Sequence, residues 1–486
     1  MKLRRNLFRF SELGIWKAVY CVFLALLPLT SMPLVVRLVR SDVVAAPSGL
    51  ILLVLLVGWA FPRLLGGDRL PENAFLLIGF VLAALMVTVL SFFRIIPPYK
   101  SASVTASSVS AVITLFIGFG FYLVSTLWNS DDRKRQLTLR VINWSGAVVL
   151  LWTLLQAFFW YKDMRYPEWM KEIQFFFSVG SLYRQRFVGF TLEPSWLAHQ
   201  LNLLYLPWWF AASVTGASVH RFRYRKVTFE RLLFVFGLAI LFLTLSRVGL
   251  VAFLLTVIFF VVVQIFKRSG RWKRLKTWAG RLLPFALVLV VIPLVLLLIG
   301  WMLSRLDYRM ANLFSLDLWG RSDPILYLAE KLSLAARFVY WDGGMEIFNA
   351  HPVFGVGLGH AGFYMPDALS LFALKLVEVR DLLYRTETLL NIKSIWIRVL
   401  AETGIVGFSF FFTWILRSWL GAFRQLAADS ELRRALGWMG CFTLIAFLLE
   451  GFSLDTFALP YLWISTGLSD SSAFPSVGMI NTGDKD

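Results

Sequence analysis

The feature that most limits what this chain can fold into is a recurring apolar window of about 20 residues, the length that carries a helix across the hydrocarbon of a bilayer. Such windows fall at 18–36, 49–66, 74–92, 108–128, 141–160, 195–213, 231–246, 248–266, 282–303, 395–416, 436–450 and, shorter, 454–468. A bilayer interior admits only backbones that satisfy their own hydrogen bonds, so the pattern predicts an all-α polytopic membrane protein with about 12 transmembrane helices. Composition agrees. Hydrophobic residues make up 58% and charged residues only 16% of the 486, against about 25% charged in an ordinary globular domain. A water-facing fold could not bury that much apolar surface.

The net charge of +19 would suggest nucleic acid in a soluble protein. Here topology accounts for it. With a cytoplasmic N-terminus, Lys2, Arg4, Arg5, Arg9 and Lys17 precede the first window, and further basic residues collect in the short inner connections, as the positive-inside rule expects. The remainder contacts anionic headgroups, so no nucleic-acid partner is expected. Arg-rich residues followed by an apolar run resemble a secretory signal, but no small-residue cleavage site follows, which predicts an uncleaved first helix. Cys21 and Cys441 both lie in apolar stretches, and neither a disulfide nor a thiolate metal site is expected.

Four regions follow from this layout. Residues 1–194 hold helices one to five and a first long outer loop, 161–194. Residues 195–303 hold helices six to nine, 304–394 form a large helical outer loop, and 395–486 hold helices ten to twelve with a short cytoplasmic tail. Within the large loop, 333–348 reads as an amphipathic helix and 350–362 as a Gly-rich turn.

Arginine at membrane depth or at its rim is expensive and is a functional candidate unless it merely snorkels to the headgroups. Arg186, in the run Arg184-Gln-Arg-Phe-Val-Gly-Phe190, precedes helix six; Arg247 sits in a tight turn between helices seven and eight; Arg337 lies one helical turn before Trp341. A guanidinium offers a planar fork of permanently charged donors that matches phosphate oxygens. Several together outside the membrane suit a lipid-linked phosphate or diphosphate. Glu193-Pro-Ser195 opens helix six, and Ser195 and His199, at i and i+4, share a face. A nucleophilic pair there lacks an evident orienting acid; a polar face on a wet cavity is the other reading. Gly357 to Gly362 spells GxGxxG, but without the βαβ setting that makes it a dinucleotide fingerprint. His351 and His360 flank it as donors, bases or structural hydrogen-bonders. No metal-ligand motif and no cofactor motif is present on the outer side.

These pieces, in this order, resemble the O-antigen ligase and Wzy-type polysaccharide polymerase superfamily: Arg186 to Ser195 before a helix, Thr244-Leu-Ser-Arg247 between two, Arg337 and Trp341 leading into His351-Pro-Val-Phe-Gly-Val-Gly-Leu-Gly359, and Leu400-Ala-Glu-Thr-Gly-Ile-Val-Gly407 opening a later one. The resemblance implies a GT-C-like fold and a metal-independent glycosyltransferase at the periplasmic face of a bacterial inner membrane. It implies undecaprenyl-pyrophosphate-linked glycan as donor, an acceptor glycan, and a chain-length regulator and a flippase as partners. By the family pattern Arg247 and Arg337 hold the pyrophosphate, while Arg184, Arg186, Glu193, Ser195, His199, Trp341, His351 and His360 address the substrates. Where ligases of the family carry a histidine, nine residues before the Gly of Gly-x-x-Gly, this chain has Lys393, followed by Ser394. Lys393 is therefore expected either to transfer a proton or to contact phosphate. The loss favours polymerisation of repeat units over ligation of a finished glycan. A transporter, the reading from another class, would instead place broken or polar helices near the bilayer midplane.

Overall fold

The computed structural model describes residues 2–39, 45–268 and 335–473, together with 297, 300, 301 and 304. It is a helical bundle whose one sheet among the described residues is the ribbon Arg223–Tyr224 with Val227–Thr228. Among the described residues, seven helices are long and apolar enough to cross a membrane: Pro47–Leu65, Glu72–Ser91, Val104–Trp128, Asp132–Asp163, Arg247–Ile265, Ile395–Gln425 and Glu431–Glu450.

The remaining expected spans resolve differently. The first is an apolar stretch Gly14–Ala25 at the end of helix Lys2–Ala25, followed after Pro28 by the separate short helix Pro33–Val39. The sixth runs from Pro194 to Thr215 in three pieces, the seventh is Phe229–Leu243, and the last is Pro460–Ala473. The ninth, 282–303, lies outside the described residues except at 297, 300 and 301, as does Ser333 at the start of the expected loop helix, which is seen as Ala335–Ala350.

Two of the helix interruptions bear on the site, each for an identifiable reason. Pro207 has no N–H for the carbonyl of Leu203, four residues back. That carbonyl accepts instead from Ser465 Oγ at 2.6 Å and Thr443 Oγ1 at 3.4 Å, and the turn ahead of it, Leu201–Tyr205, widens to a π-helix. The second break is at Gly404, with φ 62° and ψ −168° inside Ile395–Gln425. It opens the ladder, and the turn after Ala335–Ala350 fills the gap. Val356 N–H donates to the Ala401 carbonyl at 3.0 Å and Gly357 N–H to Glu402 at 2.9 Å, while Ile405 N–H donates to Pro352 at 2.9 Å and Val406 N–H to Val353 at 3.3 Å.

The bundle core is aromatic: Trp208, Trp209, Trp414 and Trp463 are fully buried, with Trp414 and Trp463 stacked at 5.4 Å. Ile395–Gln425 packs along Glu72–Ser91 and Glu431–Glu450, and Pro460–Ala473 packs along Val104–Trp128. Leu53, Val57, Leu82, Val89, Phe412 and Leu420 stay exposed on helix flanks, the faces that lipid covers in a membrane. The loops gather at one end. There Val179 N–H donates to Ser31, Leu192 N–H to Thr30 Oγ1, and Arg94 Nη1 to the Gly355 carbonyl.

Candidate functional site

At the loop-rich end, Glu450 and the short turn that follows Glu431–Glu450 touch the His199 helix, the helix of Arg337 and Trp341, and the Lys393–Ile395 segment. Glu450 is fully buried. Its carboxylate pairs with His199 Nδ1 and accepts from Asn202 Nδ2 at 2.6 Å; Asn202 also donates to the Gly249 carbonyl at 2.8 Å, two residues past Arg247. The Gly451 carbonyl accepts from Ile395 N–H at 2.9 Å and from Ser394 Oγ at 3.3 Å. Ser453 Oγ accepts from Arg337 Nη1 at 2.9 Å, and Phe452 lies 5.3 Å from the Trp341 ring. Asp455 accepts from Lys393 N–H at 3.1 Å.

The first two motifs meet on the other side of this turn. Arg186 Nε donates to the Thr244 carbonyl at 3.3 Å, and Phe187 N–H to Leu243 at 3.4 Å. Leu245 takes a left-handed φ of 50°, which reverses the chain and makes Arg247 the first residue of Arg247–Arg268. That helix packs on Pro194–Gln200. Arg186 and Arg247 are both partly buried, so the structure places the two guanidinium-bearing segments on one turn. Arg184 is exposed.

Pro194 begins its helix with Glu193 as the extended residue before it, as its missing N–H allows. Ser195 donates to Glu193 at 2.6 Å, whereas His199 pairs with Glu450. The two side chains that share a helix face thus have different partners, and the orienting acid invisible in the sequence is Glu450, some 250 positions away.

The histidines of the large loop differ. His360 is fully buried. Its Nδ1 lies 3.0 Å from the Val356 carbonyl, which can only accept, so Nδ1 carries the proton and Nε2 accepts from Ser108 at 2.5 Å. Ser91 Oγ is 3.1 Å from Nδ1. Burial holds its pKa below the usual imidazole value, and the ring fastens the loop to helices Glu72–Ser91 and Val104–Trp128. His351 is partly buried beside Tyr364; burial first, and the nearby Arg94 second, lower its pKa.

Sequence reading missed a buried cluster under Lys393. Arg398 Nε binds Glu402 at 3.0 Å, and Nη1 donates to the Asp455 carbonyl at 2.6 Å and lies 3.5 Å from Asp455 Oδ1. Arg398 lies two residues before the run Leu400–Gly407 and Glu402 within it, at i and i+4, and that spacing was the available signal. Asp455 had none.

The fold and site define a class: a polytopic helical membrane protein with basic and acidic side chains converging at one end of the bundle. Residues 232–412 match the family model described as O-Antigen ligase, Wzy_C, a stretch that holds Arg247, Arg337, Lys393, Arg398 and Glu402. The match supports the O-antigen ligase and Wzy-type superfamily, whose members are glycosyltransferase-like enzymes. A comparison with curated proteins returned no match.

Proposed function

We propose that this protein is a polysaccharide polymerase of the bacterial inner membrane, joining undecaprenyl-pyrophosphate-linked repeat units at the periplasmic face into an exopolysaccharide, capsule or O-antigen. What carries the reading is that Arg337 reaches Ser453 in the turn after Glu431–Glu450, while the Arg247 segment is joined to Glu450 through Asn202. Glycosyl transfer from a lipid diphosphate leaves two phosphates whose negative charge grows as the bond to the anomeric carbon breaks. Fixed cations aimed at that charge in a site shielded from bulk water lower the barrier without reorganising. Arg247 and Arg337 take this role, with the guanidinium fork matched to phosphate oxygens, and Arg186 places glycan at the Thr244 turn. Lys393 stands where the ligases carry histidine, which favours extension of repeat units over transfer to another acceptor.

Deleting the gene tests the assignment. Complementation with the wild type restores long chains, whereas Arg247→Ala and Arg337→Ala each lower chain extension by at least ~100-fold with normal membrane levels. Arg247→Lys also impairs, because the bidentate geometry is lost. Single repeat units in the deletion strain identify polymerase. Long chains still on the carrier lipid identify ligase instead, and wild-type glycan in both Ala variants removes the mechanism.

A further inference from the structure

One partly accessible acid at the site is short of a hydrogen bond. Asp455 Oδ2 accepts the Lys393 amide at 3.1 Å. Its other oxygen, Oδ1, is buried and accepts no hydrogen bond, although Arg398 Nη1 lies 3.5 Å away and the side chain as a whole keeps 11% exposure. A buried carboxylate oxygen without a donor is costly and calls for an explanation.

The neighbouring acids differ in what they face: Glu450 Oε2 also accepts no hydrogen bond, but it is closed in against His199. Glu402 binds Arg398 Nε at 3.0 Å and faces the backbone amides of Gly359 and Ala361. Glu450 is taken by His199 and Asn202 and has no exposure. Only Asp455, among the acids on this turn, is both partly accessible and under-supplied, and it lies two residues from Ser453, the partner of Arg337.

We propose that Asp455 is the proton acceptor for the attacking sugar hydroxyl, which supplies the hydrogen bond that Oδ1 lacks. The inference rests on the polymerase reading above and deepens it. The hydroxyl proton passes to Oδ1 as the hydroxyl oxygen forms its bond to the anomeric carbon of the donor. The bond from that carbon to the diphosphate oxygen breaks, its electron pair leaves with the lipid diphosphate, and the proton is later released to water.

The groups facing Asp455 are Lys393 and Arg398, both basic, and Glu402. Burial outweighs the pull of Arg398 and pushes the carboxyl up to about 6. A base in that range is ionised at neutral pH and still has driving force to take a proton. The sign follows: protonation removes the base, so activity present above about pH 6 is lost as pH falls through that value.

The test uses permeabilised cells of the deletion strain expressing each full-length variant, with undecaprenyl diphosphate as the binding probe on the purified proteins. Asp455→Asn lowers chain extension by at least ~100-fold, while its affinity for undecaprenyl diphosphate stays within about twofold of wild type, as leaving-group contacts remain. Sodium formate restores extension to Asp455→Ala, and Asp455→Glu moves the acid limb of the rate profile. Should Asp455→Ala fail to express, the near-isosteric Asn and Glu variants carry the test. Near-normal extension in Asp455→Asn overturns the proposal, as does an unshifted acid limb in Asp455→Glu. Arg247→Ala separates the two readings. If it is inactive while Asp455→Asn is active, only the role of Asp455 fails; if both are active, the polymerase mechanism fails with it.

Discussion

Two buried acidic clusters share the helix Ile395–Gln425, and they differ in kind. Toward the end away from the loops, Asp470 Oδ2 accepts from Asn73 Nδ2, Tyr122 OH and Ser418 Oγ, each at 2.8 Å. Those partners are neutral, all are buried, and four helices are tied through one atom. At the loop-rich end Glu450, Glu402 and Asp455 face His199, Arg398 and Lys393, on backbone that is kinked at Gly404 and reversed at Leu245 and Lys393. Neutral partners on regular helices make a clamp, because interhelical hydrogen bonds hold a bundle where burial of apolar surface cannot. Opposed charges on strained backbone, with residual exposure, are costly to assemble and are arranged around chemistry.

Removing the strain gives the largest expected effect. Gly404 occupies a conformation essentially reserved for glycine, and a Cβ there would fall 2.3 Å from the Val353 carbonyl. Across the gap, Gly355 at φ 68° is equally confined, since a Cβ added there would fall 2.6 Å from the Ala401 carbonyl. Gly404→Ala is expected to lower stability by about 2–3 kcal/mol or more and to release the turn 352–357 from the helix. Thermal unfolding and limited proteolysis of the detergent-purified protein read this; an unchanged midpoint would mean that the break is not held by the glycine.

The next effect contrasts the clusters directly. Glu450→Gln keeps size but removes the charge that pairs with His199, and chain extension should fall by ~10-fold or more. Asp470→Asn makes the corresponding change in the clamp and should leave extension within about twofold, with stability altered by ~1 kcal/mol at most. Glycan length in the complemented deletion strain distinguishes them. Equal losses would erase the distinction between site and clamp.

Much of the framework of the cluster at the loop-rich end was legible in the chain. Apolar windows located most of the helices, and among the marked runs Arg186 meets Thr244 and Gly357 meets Glu402. The reason two of those runs belong together was hidden: His351 to Gly359 is the piece that repairs the helix opened at Gly404. An apolar stretch reads as one continuous helix until its partner is seen. Glu450 and Asp455 escaped because nothing local distinguishes an acid at a helix end, and their meaning comes from His199 and Lys393, distant in sequence. His360 was legible as a polar residue in a turn, but its burial between Ser91 and Ser108 depends on packing that no spacing encodes.

Lys393 gives the smallest expected effect and the sharpest question. Its φ of 60° turns the chain so that its amide, not its side chain, is the group bound to Asp455. Lys393→Ala keeps that amide and removes one of two cations beside the carboxylate, so extension should fall only about threefold to tenfold, the scale of a partly screened charge. The acid limb should move to higher pH, since the lost positive charge no longer favours the ionised carboxylate. A loss as deep as that of Asp455→Asn, with the acid limb unmoved, would transfer the proton-accepting role from the carboxylate to the lysine side chain.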